Sequence, residues 1–145
     1  MRRVLVLVTL VFTFAAFSHV EPLTALPAHA QQSSAPVTME SCEAQCRKCQ
    51  KICENTLGYC KKKGGKHTEL KHLNVLQDCI LVCKTSAEFL SRKSENHTRS
   101  CAFCAGICKI CAKSCESMSE DKQMKACAEE CRRCAASCEE MAKMK

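Results

Sequence analysis

Sixteen cysteines recur at steps of three or four residues, and this spacing restricts the chain more than any other property. Cys42, Cys46, Cys49 and Cys53 are followed one heptad later by Cys60. Cys101, Cys104, Cys108, Cys111 and Cys115 form a second run, and Cys127, Cys131, Cys134 and Cys138 a third. Cys79 and Cys83 make a shorter one, with His72, Leu76 and Leu90 on the same stripe. Steps of three and four place residues on one side of an α-helix, at the a and d positions that leucine ordinarily holds. Charged residues fill most other positions, including Arg47-Lys48, Glu129-Glu130 and Arg132-Arg133, so the thiols are expected to face inward.

The runs fall in four proline-free segments, Thr38–Lys62, Thr68–Arg92, Glu95–Met118 and Asp121–Lys143. They are separated by Gly64-Gly65, by Ser94 and its polar neighbours, and by Ser117–Glu120, where a serine can cap the next helix. Four helical segments with short connections predict an all-α, antiparallel up-down four-helix bundle with a cysteine-lined core, spanning 38–145. Only Tyr59, Phe89 and Phe103 are aromatic beyond residue 30, which argues against a β-sandwich core.

The N-terminus reads differently. Met1-Arg2-Arg3, the apolar run Val4–Phe17 and the small-x-small site Ala28-His29-Ala30 predict a secretory signal peptide over 1–30. Its apolar part is short for a membrane span, so no stable membrane insertion is expected. Arg2-Arg3 leaves open export by either the general or the twin-arginine route. A flexible polar tail is expected over 31–37.

A core of cysteines must be explained by what the sulfurs do. Beyond residue 30 the chain has 13 Ile, Leu and Val against 16 Cys, and small side chains at nearly every a and d position leave a core underpacked. Disulfides within one helix are excluded, because Cβ atoms one turn apart lie ~5–6 Å from each other and a disulfide wants ~3.5–4.5 Å. Bridges between helices, making a disulfide-stapled structural protein, stay open. Metal is the leading reading, since soft thiolates select Cu(I), Zn(II) or iron–sulfur clusters. Iron–sulfur motifs wrap loops around a cluster, unlike cysteines spread along helices. Zn(II) on four thiolates leaves negative charge in a closed core, at high desolvation cost. One Cu(I) per thiolate leaves none and needs only two or three sulfurs. Charge and geometry favour multiple Cu(I) ions, with a zinc or mixed soft-metal store as the alternative.

Repeated C-x3-C-x2-C-x3-C along helices behind a signal peptide resembles the four-helix-bundle copper storage proteins of bacteria, from Met39 to Met141. The resemblance implies that each bundle holds many Cu(I) ions, about one per cysteine, and that four bundles associate as a homotetramer. It implies storage instead of catalysis, and a bacterial periplasmic location after export. Copper must then pass to and from a donor or acceptor that the sequence does not identify. Family members use methionine or histidine at one bundle end for copper passage. In an up-down bundle one end gathers Cys60, His67, His72, Met118 and Met124, and His72, Met118 and Met124 are the expected additional ligands. His67, beside the glycine turn, is expected to face solvent. The opposite end gathers Met39, His97, Met141 and Met144 with Phe89 and Leu90 as a plug. The second segment departs from the pattern with only two cysteines.

Other functions fit poorly. No G-x-G-x-x-G or G-x-x-x-x-G-K occurs, and no Ser-His-Asp or Cys-His pairing stands apart from the repeat, so an enzyme is not expected. The net charge of +7 includes Lys61-Lys62-Lys63 and Lys66 at one turn, without interleaved aromatics to stack bases, so no nucleic-acid partner is expected.

Overall fold

The computed structural model describes residues 36–144. The expected signal peptide, and the tail up to residue 35, lie outside the described residues. Four α-helices follow one another: α1 (Met39–Lys63), α2 (Leu70–Ser91), α3 (His97–Glu116) and α4 (Lys122–Ala142). Each packs against two neighbours, α1 on α2 and α4, α3 on α2 and α4, with no diagonal backbone packing. This is the antiparallel up-down bundle expected from the cysteine runs.

The helix ends follow local chemistry. Thr38 caps α1 by accepting from the Ser41 amide at 3.1 Å, while Ser41 Oγ accepts from the Thr38 amide at 2.8 Å. This reciprocal pair satisfies two donors that a helix start leaves orphaned. Gly64 ends α1 at φ +76°, and Gly65 follows at φ +59°, both in a region that costs side-chain-bearing residues. A 3-10 turn, Gly65–Thr68, then precedes α2, so Thr68 lies before the helix instead of at its start. The expected serine cap of α4 is replaced by Asp121, whose Oδ1 accepts from the Gln123 amide at 2.9 Å and the Met124 amide at 3.4 Å. Two amide hydrogen bonds to an anion outweigh what a serine hydroxyl offers.

Asp121 also ties three elements together. Its Oδ2 accepts from the Tyr59 hydroxyl at 2.7 Å, pairs with Lys63, and lies 3.1 Å from His67 Nε2. His67 is thereby held against the Tyr59 ring at 13% side-chain exposure, correcting the expectation that it faces solvent. The Lys63 ammonium and the Tyr59 hydroxyl hold the Asp121 carboxyl well below the usual carboxylate range despite its burial. A carboxyl with a depressed folded pKa contributes stability above its unfolded pKa, and that contribution is lost as pH falls through the folded value. Asp121→Asn, which keeps the cap acceptor, is expected to destabilise metal-free, reduced protein by about 1–2 kcal/mol at neutral pH. The gap should close well below about pH 4. Urea midpoints of both proteins at pH 7 and pH 2.5 measure it; a constant gap would assign the effect to packing alone.

Small residues set the helix spacing. Ala105 and Ala112 on α3, and Ala128 and Ala135 on α4, are buried at heptad spacing and let these two helices approach closely. Glu130, expected on the outer surface, is 3% exposed between α1 and α4. It accepts from Gln45 Nε2 at 2.6 Å and pairs with Arg133 at 2.6 Å and Lys48 at 3.2 Å. Buried carboxylates persist only with such partners.

Candidate metal centre

All sixteen cysteines are fully buried and all are free thiols. Their side chains are short and point at the bundle axis, so sulfurs from diagonally opposed helices meet. Cys49 on α1 lies 4.0 Å from Cys108 on α3, and Cys83 on α2 lies 4.0 Å from Cys134 on α4. Leucines at the same positions would fill this space with methyl groups. The nearest approach among the sulfur contacts, Cys46–Cys138, is 3.5 Å, far from the ~2.05 Å of a disulfide.

The sulfurs form a continuous series of groups, each with its sulfurs within 4.8 Å of one another. Cys42, Cys101 and Cys138 begin it near the start of α1. Cys138 recurs in the next group with Cys46, Cys104 and Cys134, and Cys134 in the following one with Cys49, Cys83 and Cys108. Cys49 then joins Cys53, Cys79 and Cys131, and both Cys53 and Cys131 continue to Cys111 and Cys127. Because neighbouring groups share members, the sulfurs cannot be divided into separate four-ligand pockets without leaving some groups incomplete. Bridging thiolates suit this arrangement. With a metal–sulfur bond of ~2.3 Å, two-coordinate sulfurs stand ~4.6 Å apart and three-coordinate ones ~4.0 Å. Observed separations such as Cys53–Cys131 at 3.6 Å and Cys79–Cys108 at 3.8 Å therefore need only small adjustment.

Proton sharing accompanies this crowding. The neighbouring Cys108 thiol holds Cys49 below the usual thiol range, whereas the Cys104 sulfur pushes Cys83 up. Cys60, outside the shared groups, is pushed up to about 11 by burial. No single thiolate stands out as a nucleophile of the exposed, low-pKa type.

His72 lies beyond the sulfur series at the end formed by the close of α1 and the start of α2. Its Nε2 is 3.6 Å from Cys60 Sγ, and its Nδ1 is 2.8 Å from Ser114 Oγ on α3. Burial lowers the imidazole below the usual histidine range, so it is neutral at pH 7 with a lone pair for a soft ion. Met124 is fully buried near this end, and Met118 is half-buried. Cys115 stands beside Cys111 and Cys127. At the opposite end Leu90 and Met141 are buried, and His97 donates from Nδ1 to the Ser94 carbonyl at 2.7 Å. Ser114 is a partner that sequence reading passed over, since its role depends on a residue 42 positions away on another helix.

The copper storage protein (Csp) family matches residues 35–143. Among solved structures, the Nmul_A1745 protein from Nitrosospira multiformis is 35% identical, with a TM-score of 0.69 over 74% of this chain and 96% of its own. The Cu(I)-bound copper storage protein BsCsp3 is 27% identical, with a TM-score of 0.67 over 71% of this chain and 96% of its own. The metal-free copper storage protein 3 from Bacillus subtilis is also 27% identical, with a TM-score of 0.65 over 71% of this chain and 97% of its own. No curated protein matches the sequence. The family match starts before α1 and runs past the end of α4, so the chain belongs to the copper storage protein family.

Proposed function

We propose that the chain stores multiple Cu(I) ions on the thiolates lining its bundle. The observation that carries this reading is the overlap of the sulfur groups, in which successive groups share Cys138, Cys134, Cys49, Cys53 and Cys131. A monovalent ion with two or three sulfur ligands fills such a series without accumulating charge, whereas Zn(II) on four thiolates would. All sixteen cysteines are the proposed ligands, with His72, Met118 and Met124 serving the ion near the Cys60 end. Each ion displaces a thiol proton, so filling releases acid. The alternative of a disulfide-stapled scaffold needs sulfurs on different helices that stand 3.5 Å or more apart to close to ~2.05 Å.

Titrating fully reduced protein with Cu(I) against a colorimetric chelator, with a parallel thiol count, is expected to give many ions per chain, approaching one per cysteine, with protons released in step. Uptake of one or two ions, or a near-zero thiol count after metal removal and denaturation, would defeat the reading.

Export with cleavage after Ala30 accompanies this function; N-terminal sequencing of mature protein beginning at Gln31 tests it. No described helix is long and apolar enough to cross a membrane. Leu81 and Phe103 are 65% and 64% exposed on the adjoining helices α2 and α3. They supply an apolar surface for the homotetramer, whose mass light scattering would read.

A further inference from the structure

A pocket of about 540 Å³ opens between α2 and α3 at the Cys60 end, with His72, Ser114 and Met118 in its wall. Lys66, Lys71 and Lys113 also line it, against a single carboxylate, Glu69. None of these three lysines has an ion-pair partner among the described residues, whereas Lys63 at the same end is paired with Asp121. The feature is at odds with the cargo. A bare Cu⁺ approaching His72 meets a net positive surface, and the field at such a cleft governs encounter rates.

The contradiction disappears if the ion arrives inside an anion. We propose that this pocket receives Cu(I) as the negatively charged bis-thiolate complex of a small thiol and passes the ion to His72 and Cys60. The inference rests on the storage reading and specifies the form in which copper is presented. The volume lies in the range of small-molecule pockets. His72 is only 5% exposed in the pocket wall, so an ion held on the surface of a folded donor protein reaches it poorly.

The exchange balances without any redox change. One copper–sulfur bond to the small thiol breaks and one to Cys60 Sγ forms, and the Cys60 proton leaves with the departing thiolate as a free thiol. Copper stays Cu(I), and the negative charge stays on the mixed complex until the second carrier departs as a thiolate, replaced by the neutral His72 Nε2, so that the ion held between Cys60 Sγ and His72 carries no net charge. Ser114, bound to His72 Nδ1, fixes the ring with Nε2 turned to Cys60, the geometry in which outer partners orient metal-binding histidines.

The test compares two copper sources on full-length, reduced, metal-free protein by stopped-flow ultraviolet absorbance of the forming copper–thiolate bonds. One source is the anionic Cu(I)–glutathione complex and the other is cationic Cu(I)–acetonitrile. In wild type, raising ionic strength should slow loading from the anionic source and leave or quicken loading from the cationic one. The triple variant Lys66→Gln, Lys71→Gln, Lys113→Gln should load from the anionic source about tenfold more slowly, with unchanged final capacity and no slowing from the cationic source. Lys61→Gln with Lys62→Gln, at the same end but outside the pocket, should have a much smaller effect. Equal slowing with both sources, equal effects of the two variants, or an anionic rate indifferent to salt would each overturn the pocket's role. Wild-type protein that binds copper from neither source would instead remove the storage reading.

Discussion

Copper loading is expected to raise the melting temperature of the reduced protein by more than ~20 °C. The metal-free core consists of sixteen cysteines, alanines and few larger side chains, so its apolar burial is small for four helices. A ligand that binds only the folded state at a thousandfold excess over its Kd adds about 4 kcal/mol per site. One kcal/mol moves a domain of this size by roughly 4 °C. Several filled sites that each cross-link different helices therefore dominate the stability. Calorimetry of the reduced protein with increasing copper should show a midpoint that climbs with occupancy. A loaded protein that melted with the metal-free one would mean that the ions bind outside the core.

Replacing two central cysteines should lower copper capacity without abolishing it. Cys131 and Cys134 between them belong to every group of four sulfurs, whereas Cys42 and Cys101 belong only to the trio at the far end. Serine keeps the size of the side chain and removes the soft donor, leaving a hard oxygen that Cu(I) disfavours. In a shared series, Cys131→Ser with Cys134→Ser should lose roughly twice as many ions as Cys42→Ser with Cys101→Ser. Chelator-competition titrations of the two double variants, with circular dichroism to confirm the helices, measure the ratio. Complete loss of binding in the central variant would indicate one discrete site. Equal losses would show that the sulfurs act independently of their neighbours.

Much of this organisation is legible in the order of the residues. Steps of three and four put Cys42, Cys46, Cys49 and Cys53 on one helix face by geometry alone, and the charged residues between them leave that face only the interior to occupy. His72 could be assigned to the same stripe because it precedes Cys79 by one heptad. Where interactions run between helices, this kind of reading stops. Asp121 displaces the expected serine cap because Tyr59, Lys63 and His67 converge on the same carboxylate. Glu130 enters the interior because Gln45 and Lys48 arrive from α1 to meet it.

The chain's own sequence, through helical periodicity and the sidedness of its charges, determined that four helices would form and that their sulfurs would turn inward. Only the tertiary structure decided which sulfurs share a group, that Cys138, Cys134, Cys49, Cys53 and Cys131 link those groups, and that His72 sits between Cys60 and a lysine-lined pocket. The physical reason is that periodicity is a property of one helix, whereas a metal-binding group is made of atoms from three or four, and their register depends on packing across the whole bundle.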